Sequence, residues 1–215
     1  WMFLESGGPI PGGGPTHQKS ITKRYKVEMT FDVAGETVSG SGVFVGRFTA
    51  QTNGMTKQRY AYLDYVSAQG FPMKLKDGRL LLATSVTTAR PDRSLNALFL
   101  KSCGLATNFD DGSGDAWLRQ VTSFEGKCPL KAGLLPVLLL FPDPAVPRAT
   151  YIDPEKNGIE VRFVSGYVST TDEKLNYRLG PILPWLTKAP GDLEVDYGTP
   201  RASAFRNTDI TTRQF

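Results

Sequence analysis

The chain has 215 residues, 40% hydrophobic and 21% charged, with 25 Lys and Arg against 21 Asp and Glu for a net charge of +4. That is long enough for one large domain and apolar enough for a core, which excludes a disordered or single-charge tail protein. The cationic excess is too thin to point to nucleic acid, and no run of about 18 apolar residues offers a membrane-spanning helix.

Residues 1–19 read as a flexible leader. Gly7–Pro15 is glycine and proline throughout except Ile10, and the short apolar start lacks the basic flank of a secretory signal. The leader is expected to add nothing to the fold, either as an ordinary disordered terminus or as a tether through which the protein is membrane-anchored. Then "RYKVEMTFDV" alternates. Tyr25, Val27, Met29, Phe31 and Val33 fall on one face, and Arg24, Lys26, Glu28, Thr30 and Asp32 on the other. Period two predicts a strand with one buried side. "AGE" at 34–36 predicts a hairpin turn, and "TVSGSGVFVGRF" a second strand loosened by Gly40, Gly42 and Gly46. "RYAYLDYV" is a third strand. "FPMKLKDGRLLLA" is a further hairpin, with Asp77-Gly78 expected as a type I′ turn.

The periodicity then turns helical. Leu95, Leu98, Phe99, Ser102 and Cys103 share a face, with Asp92 or Ser94 to cap the start and Gly104 at C′. Trp117, Leu118, Val121 and Phe124 repeat the pattern after a capping Asp115. Cys103 and Cys128 then lie at the far ends of two helices. An antiparallel helical hairpin would bring them together, so a disulfide is expected, two buried thiols being the alternative. "LLPVLLLF" has no alternation and predicts a strand buried on both faces, or covered on one by these helices, beginning after Pro136. "RATYI" is a short strand. "IEVRFVSGYVSTTDE" alternates at Ile159, Val161 and Phe163 and then shifts phase at Val164, and a bulge near Ser165-Gly166 explains the slip. "KLNYRLGPILPWL" predicts a short helix ended by Gly180-Pro181, then extended Leu-Pro-Trp-Leu with Trp185 anchoring the core. Residues 191–215 read as a loose tail with one added strand.

The chemistry the chain lacks narrows its function. The one histidine is His17, in the leader, which excludes a histidine-based triad or metal site in the folded body. "SITK" at 20–23 opens a strand, where a Ser-x-x-Lys pair faces opposite sides. "NFDDGSGDA" offers Asp110, Asp111 and Asp115 as calcium ligands, but its closing position carries Arg119 instead of glutamate. A solvated loop is the plainer reading. Asp143 and Asp153 each precede a proline and read as turn formers. Lys19, Lys23, Arg24 and Lys26 form a basic patch that either is an ordinary wet strand face or meets an anionic membrane surface. No catalytic residue, cofactor or metal is expected, and nucleic acid is not an expected partner.

"PVLLLFPDPAVPRATYIDPEKNGIEVRFVSGYVSTTDEKLNYRLGPILPWL" resembles the C-terminal half of an uncharacterised proteobacterial family. The shared elements are a proline-led aliphatic strand at Pro136–Phe141, Asp143-Pro144, Asp153-Pro154 and a closing Leu183–Leu186. "RYKVEMTFDVAGETVSGSGVF" is similar to that family's opening. The resemblance covers about half of the chain and leaves residues 84–129 unmatched. It implies an exported or lipid-anchored protein of the periplasm or outer surface, with no activity and no site residues to carry over.

The expected fold is α+β and β-rich: a mainly antiparallel twisted sheet or partial barrel with a small helical pair. It forms one domain over 20–190, with the helical insertion at about 92–125. The expected function is a non-enzymatic, envelope-facing binding or structural protein whose partner is another protein of the envelope. An inhibitor or immunity-type protein that blocks a partner enzyme is the alternative, and a hydrolase using carboxylates alone the third reading.

Overall fold

In the computed structural model the alternating segment is half of a long ribbon. Strands β1 (Thr16–Val33) and β2 (Glu36–Asn53) pair antiparallel without a register break, from Thr16 opposite Asn53 to Val33 opposite Glu36. The structure describes residues 16–53, 57, 59–84, 95–107, 114–130, 135–154, 161–175, 179–187, 194–196 and 211–213. The two-residue loop Ala34-Gly35 has φ of 51° and 87°, the left-handed pair of a type I′ turn, whose twist matches that of the strands. The Gly35 N–H donates to Asp32 Oδ1 at 3.0 Å. Tyr25, Val27, Met29, Phe31 and Val33 are all buried, as their alternation requires.

Strand β3 (Arg59–Gln69) pairs with β2, and after Gly70 the chain passes into a second sheet as β4 (Phe71–Lys74) and β5 (Leu80–Ala83). Helices α1 (Leu95–Ser102) and α2 (Gly114–Ser123) follow, then β6 (Lys127–Pro129), β7 (Leu138–Phe141), β8 (Arg148–Ile152) and β9 (Val161–Thr170). One helical turn, α3 (Leu179–Ile182), and a 3-10 turn at Pro184–Thr187 precede β10 (Glu194–Asp196) and β11 (Thr211–Arg213). The first sheet has the order β11-β3-β2-β1-β9-β6 and the second β10-β8-β7-β5-β4. Both are open sheets rather than a closed barrel. Among the described residues every strand pairing is antiparallel except β10 with β8.

The sheets share one core. Tyr25, Phe31, Phe44 and Phe48 of the first meet Phe71, Leu81 and Leu138 of the second, with Phe99 and Trp117 added by the helices. Gly40 and Gly42 make the approach possible. A Cβ on Gly40 would stand 2.6 Å from Met73 Cγ, and one on Gly42 2.9 Å from Phe71 Cδ1. Two of the three glycines that loosen the β2 pattern, Gly40 and Gly42, are therefore the sockets for β4.

Several expectations change. The β4–β5 hairpin is not type I′ at Asp77-Gly78. The Gly78 N–H donates to Leu75 O at 3.1 Å and only Gly78 has positive φ, 91°. Lys76 and Asp77 thus form an ordinary turn, and Gly78 is the left-handed residue of a three-residue loop. Asp77 favours this because its Oδ1 accepts the Arg79 N–H at 3.0 Å. The expected phase shift at Val164 and the bulge beside Ser165 do stand, because Phe31 faces Phe163 and Thr30 faces Ser165. Pro184–Thr187 forms a 3-10 turn in place of an extended Leu-Pro-Trp-Leu, and Gly180-Pro181 lies inside α3 instead of ending it. Proline is tolerated in a first helical turn, where its missing N–H would have no partner. The 191–215 segment contributes two short edge strands, one to each sheet. Thr16–Lys19, read as leader, are part of β1. The helical cap residues Asp92 and Ser94 lie outside the described residues.

The apolar run at 138–141 is central in the second sheet and buried on both faces. Leu138 and Leu140 enter the shared core, whereas Leu139 and Phe141 face a second core with Leu80 and Leu82. That second face is covered by α3 and the 3-10 turn through Leu179, Leu183 and Trp185, not by α1 and α2, which pack into the shared core. The Trp185 indole N–H donates to Pro144 O at 3.0 Å, and its ring lies 5.9 Å from that of Phe141. The proline-rich turn after β7 is thus the carbonyl partner of the tryptophan that covers β7.

Two outcomes follow from this packing. Trp185→Ala should lower stability by about 3–5 kcal/mol, the range for a large buried aromatic, as measured by urea denaturation. Ala34→Asn should raise the urea midpoint by the equivalent of about 0.5–1 kcal/mol, since asparagine tolerates the left-handed conformation better than alanine.

Candidate functional site

Four basic residues and the surface around α2 make the site with the most chemistry. Strand alternation splits the basic residues between the two faces of β1. Lys19 and Lys23 lie on the core side and reach α2, whereas Arg24 and Lys26 lie on the other side and reach the segment after β9. Lys19 Nζ donates to Asp115 Oδ2 at 2.7 Å. Lys23 Nζ donates to Thr122 O at 2.8 Å and Phe124 O at 2.7 Å, and lies 3.3 Å from Glu125 Oε1. Arg24 Nη1 donates to Asp172 O at 3.2 Å, and Lys26 Nζ to Glu173 Oε1 at 2.9 Å.

Lys23 is the most structural of the four. Its side chain is 12% exposed, and its ammonium sits at the carbonyl end of α2, where the helix dipole is negative and the last carbonyls lack partners. The charges respond. The Lys19 hydrogen bond lowers the Asp115 pKa, and the Lys23 and Thr170 hydrogen bonds lower that of Glu125. The Glu173 hydrogen bond raises the pKa of Lys26. These are surface pairs and individually weak; their effect is to fix where α2 and the 171–175 segment lie against β1.

Asp115 is the second residue of α2 rather than its cap, and its carboxylate goes to Lys19. The other two calcium candidates, Asp110 and Asp111, lie outside the described residues. Among the described residues no group of three or more His, Cys, Asp or Glu could hold a metal ion. Asp143 forms the expected turn, its Oδ1 accepting the Ala145 N–H at 2.9 Å. Asp153 is buried. The Ser20 and Thr49 hydroxyls are 2.8 Å apart and hydrogen-bonded, so Ser20 and Lys23 have separate partners. His17 is an exposed residue of β1 opposite Thr52.

Cys103 and Cys128 are bonded, with Cα atoms 5.3 Å apart. The route to this pairing differs from a helical hairpin. Cys103 ends α1, followed by Gly104 at φ 67° and a Leu105 N–H that donates to Leu100 O at 2.8 Å, a Schellman stop. Cys128 is not on a helix. It is the middle residue of β6, opposite Val168 at the edge of the first sheet. The bond therefore ties the helical insertion to the outermost strand beyond β9.

One feature of the site has no sequence signal. A groove of about 360 Å³ runs between β1 and α2, lined by Lys19, Ser20, Ile21, Asp115, Leu118 and Arg119. Its two walls are about a hundred residues apart in the chain, so no local pattern could join them. No family model matches the chain, and neither a curated protein nor a solved structure is significantly similar to it.

Lys23→Met should destabilise the protein by about 1–2 kcal/mol by leaving two helix-end carbonyls without their charged donor. It should also flatten the acid limb of the stability profile. The pKa of Glu125 is depressed in the folded state, so its contribution is present above the unfolded carboxylate pKa and is lost as pH falls through the folded one. Urea midpoints of both proteins from neutral to acid pH measure both effects.

Proposed function

We propose that this chain is a non-enzymatic binding or structural protein of the cell envelope, periplasmic or lipid-anchored. The observation that carries this reading is the Cys103–Cys128 bond between the end of α1 and the edge strand β6. Structural disulfides persist in oxidising compartments and are rare where cellular thiols keep cysteine reduced. Among the described residues no helix is long and apolar enough to cross a membrane. An anchor, in this reading, is supplied through the N-terminal leader.

The use of the polar residues supports a binding or scaffold role over carboxylate chemistry. Lys23 caps a helix, Lys19 holds Asp115, Asp143 closes a turn and Ser20 bonds Thr49. Each of these four side chains has a partner that fixes backbone or packing. The pKa shifts run in the direction of ion pairing, with Asp115 and Glu125 held further into their charged forms. A general acid needs the opposite shift.

Fractionation of the native cells, with thiols alkylated before lysis, tests the proposal. The protein should appear in the envelope fraction with neither cysteine alkylated, and with both alkylated only after reduction. A cytoplasmic pool carrying two alkylated cysteines would overturn it.

A further inference from the structure

We propose that the free edge of β1, beside helix α2, binds an extended acidic segment of a partner protein as an added β-strand. The inference rests on the binding role proposed above and names the class of ligand.

The ladder between β1 and β9 begins only at Tyr25, opposite Thr170. The Thr171 N–H still donates to Arg24 O at 3.4 Å, and there the chain leaves the edge. From Thr16 to Thr22 β1 keeps β2 on one side, while among the described residues no strand pairs with it on the other. The direction of its backbone groups follows from that last bond. Arg24 O points away from β2, and in a strand N–H and C=O of one residue point to the same side and alternate along the chain. The amides and carbonyls of Gln18, Ser20 and Thr22 therefore point to the open edge. Seven residues at about 3.4 Å each give an edge of roughly 24 Å, long enough for a strand of ordinary length.

Proteins commonly guard such an edge with lysine. Here both lysines that could guard it are drawn away. Lys19 is held by Asp115, and Lys23 is turned into the end of α2. The edge is left unblocked, and α2 stands beside it as the second wall of the groove. A strand edge with a helix alongside is a geometry that takes an extended peptide: backbone hydrogen bonds supply affinity and the flanking wall reads alternate side chains.

The charges decide the occupant. Lys19 and Arg119 against Asp115 leave the groove with one excess positive charge, and Ile21 and Leu118 supply its apolar floor. A second copy paired edge to edge would set two grooves of the same net sign side by side, which disfavours that pairing. An extended segment with acidic side chains at alternate positions meets the groove with opposite charge.

The test uses the full chain and a defined probe, the capped heptapeptide Thr-Glu-Thr-Val-Thr-Glu-Thr. Amide hydrogen exchange is followed by NMR at Gln18, Ser20 and Thr22. In the protein alone these amides should exchange freely, and about 1 mM peptide, roughly ten times a Kd of about 0.1 mM, should slow them about tenfold. The same peptide with Lys in place of both Glu, or N-methylated throughout, should not slow them. Ser20→Pro, which deletes one edge donor, should abolish the effect while circular dichroism and the disulfide stay native. If that variant does not fold, the N-methylated peptide decides the same point. Amides already protected in the protein alone would show the edge occupied by the chain itself and overturn the proposal. So would an unchanged exchange rate, or equal protection by the lysine peptide. The exchange experiment and the fractionation experiment share no readout, so failure of one leaves the other intact.

Discussion

The pairing of β1 with β2 is the constraint on which the rest of the molecule depends. The two strands match residue for residue from the Ala34-Gly35 turn to the far end, so the two-residue turn alone sets the register of the whole ribbon. A slip of one residue would turn Tyr25, Val27, Met29, Phe31 and Val33 to the wrong side and empty the core. On one flank β9 adds to β1, and on the other β3 adds to β2. The aromatic stack of Tyr25 with Phe44 and Phe99, at 5.7 and 5.0 Å, then places α1 over the ribbon.

Close approach follows from what is missing on β2. Gly40 and Gly42 leave space that Met73 and Phe71 fill, and so the second sheet is seated by the first. A similar device acts at Gly166, where a Cβ would stand 2.7 Å from both Glu28 O and Leu130 Cδ1. There the absent side chain lets Leu130 pack against β9 as the chain continues the β6 register, and the Leu130 N–H donates to Gly166 O at 2.9 Å. The disulfide then holds β6, a strand of only three residues, at an edge where its own ladder bonds could not keep it.

The polar surface repeats the same economy. Lysines on β1 act at a distance in sequence, holding α2 by its two ends: Lys19 at the first turn and Lys23 at the last carbonyls. Their charges complement the helix dipole only in part, since an acidic residue belongs at the helix start and a cation at its end. Asp115 and Lys23 satisfy that pattern, and Lys19 ties Asp115 back to the strand. The groove between β1 and α2 exists because these ties fix the helix beside an edge that β9 does not reach.

Much of the fold was legible in the sequence because its signals are local. Period-two alternation gave the buried face of β1, a turn pair gave the first hairpin, and an unbroken aliphatic run gave a strand buried on both faces. Gly104 marked the end of α1, and Trp185 was readable as a core residue. The type of the 76–78 loop was not legible, because the Asp77 side chain chooses between turns that share the same Asp-Gly signal. The 3-10 form of Leu-Pro-Trp-Leu escaped for a like reason: proline suits extended chain and a first helical turn equally. Everything that joins distant segments was decided by tertiary structure alone. Which layer covers β7, which strand carries Cys128, where the four basic residues point and where β1 lacks a neighbour all depend on how the sheets stack. The stacking is set by shape and by gaps such as Gly40, which leave no periodic trace along the chain.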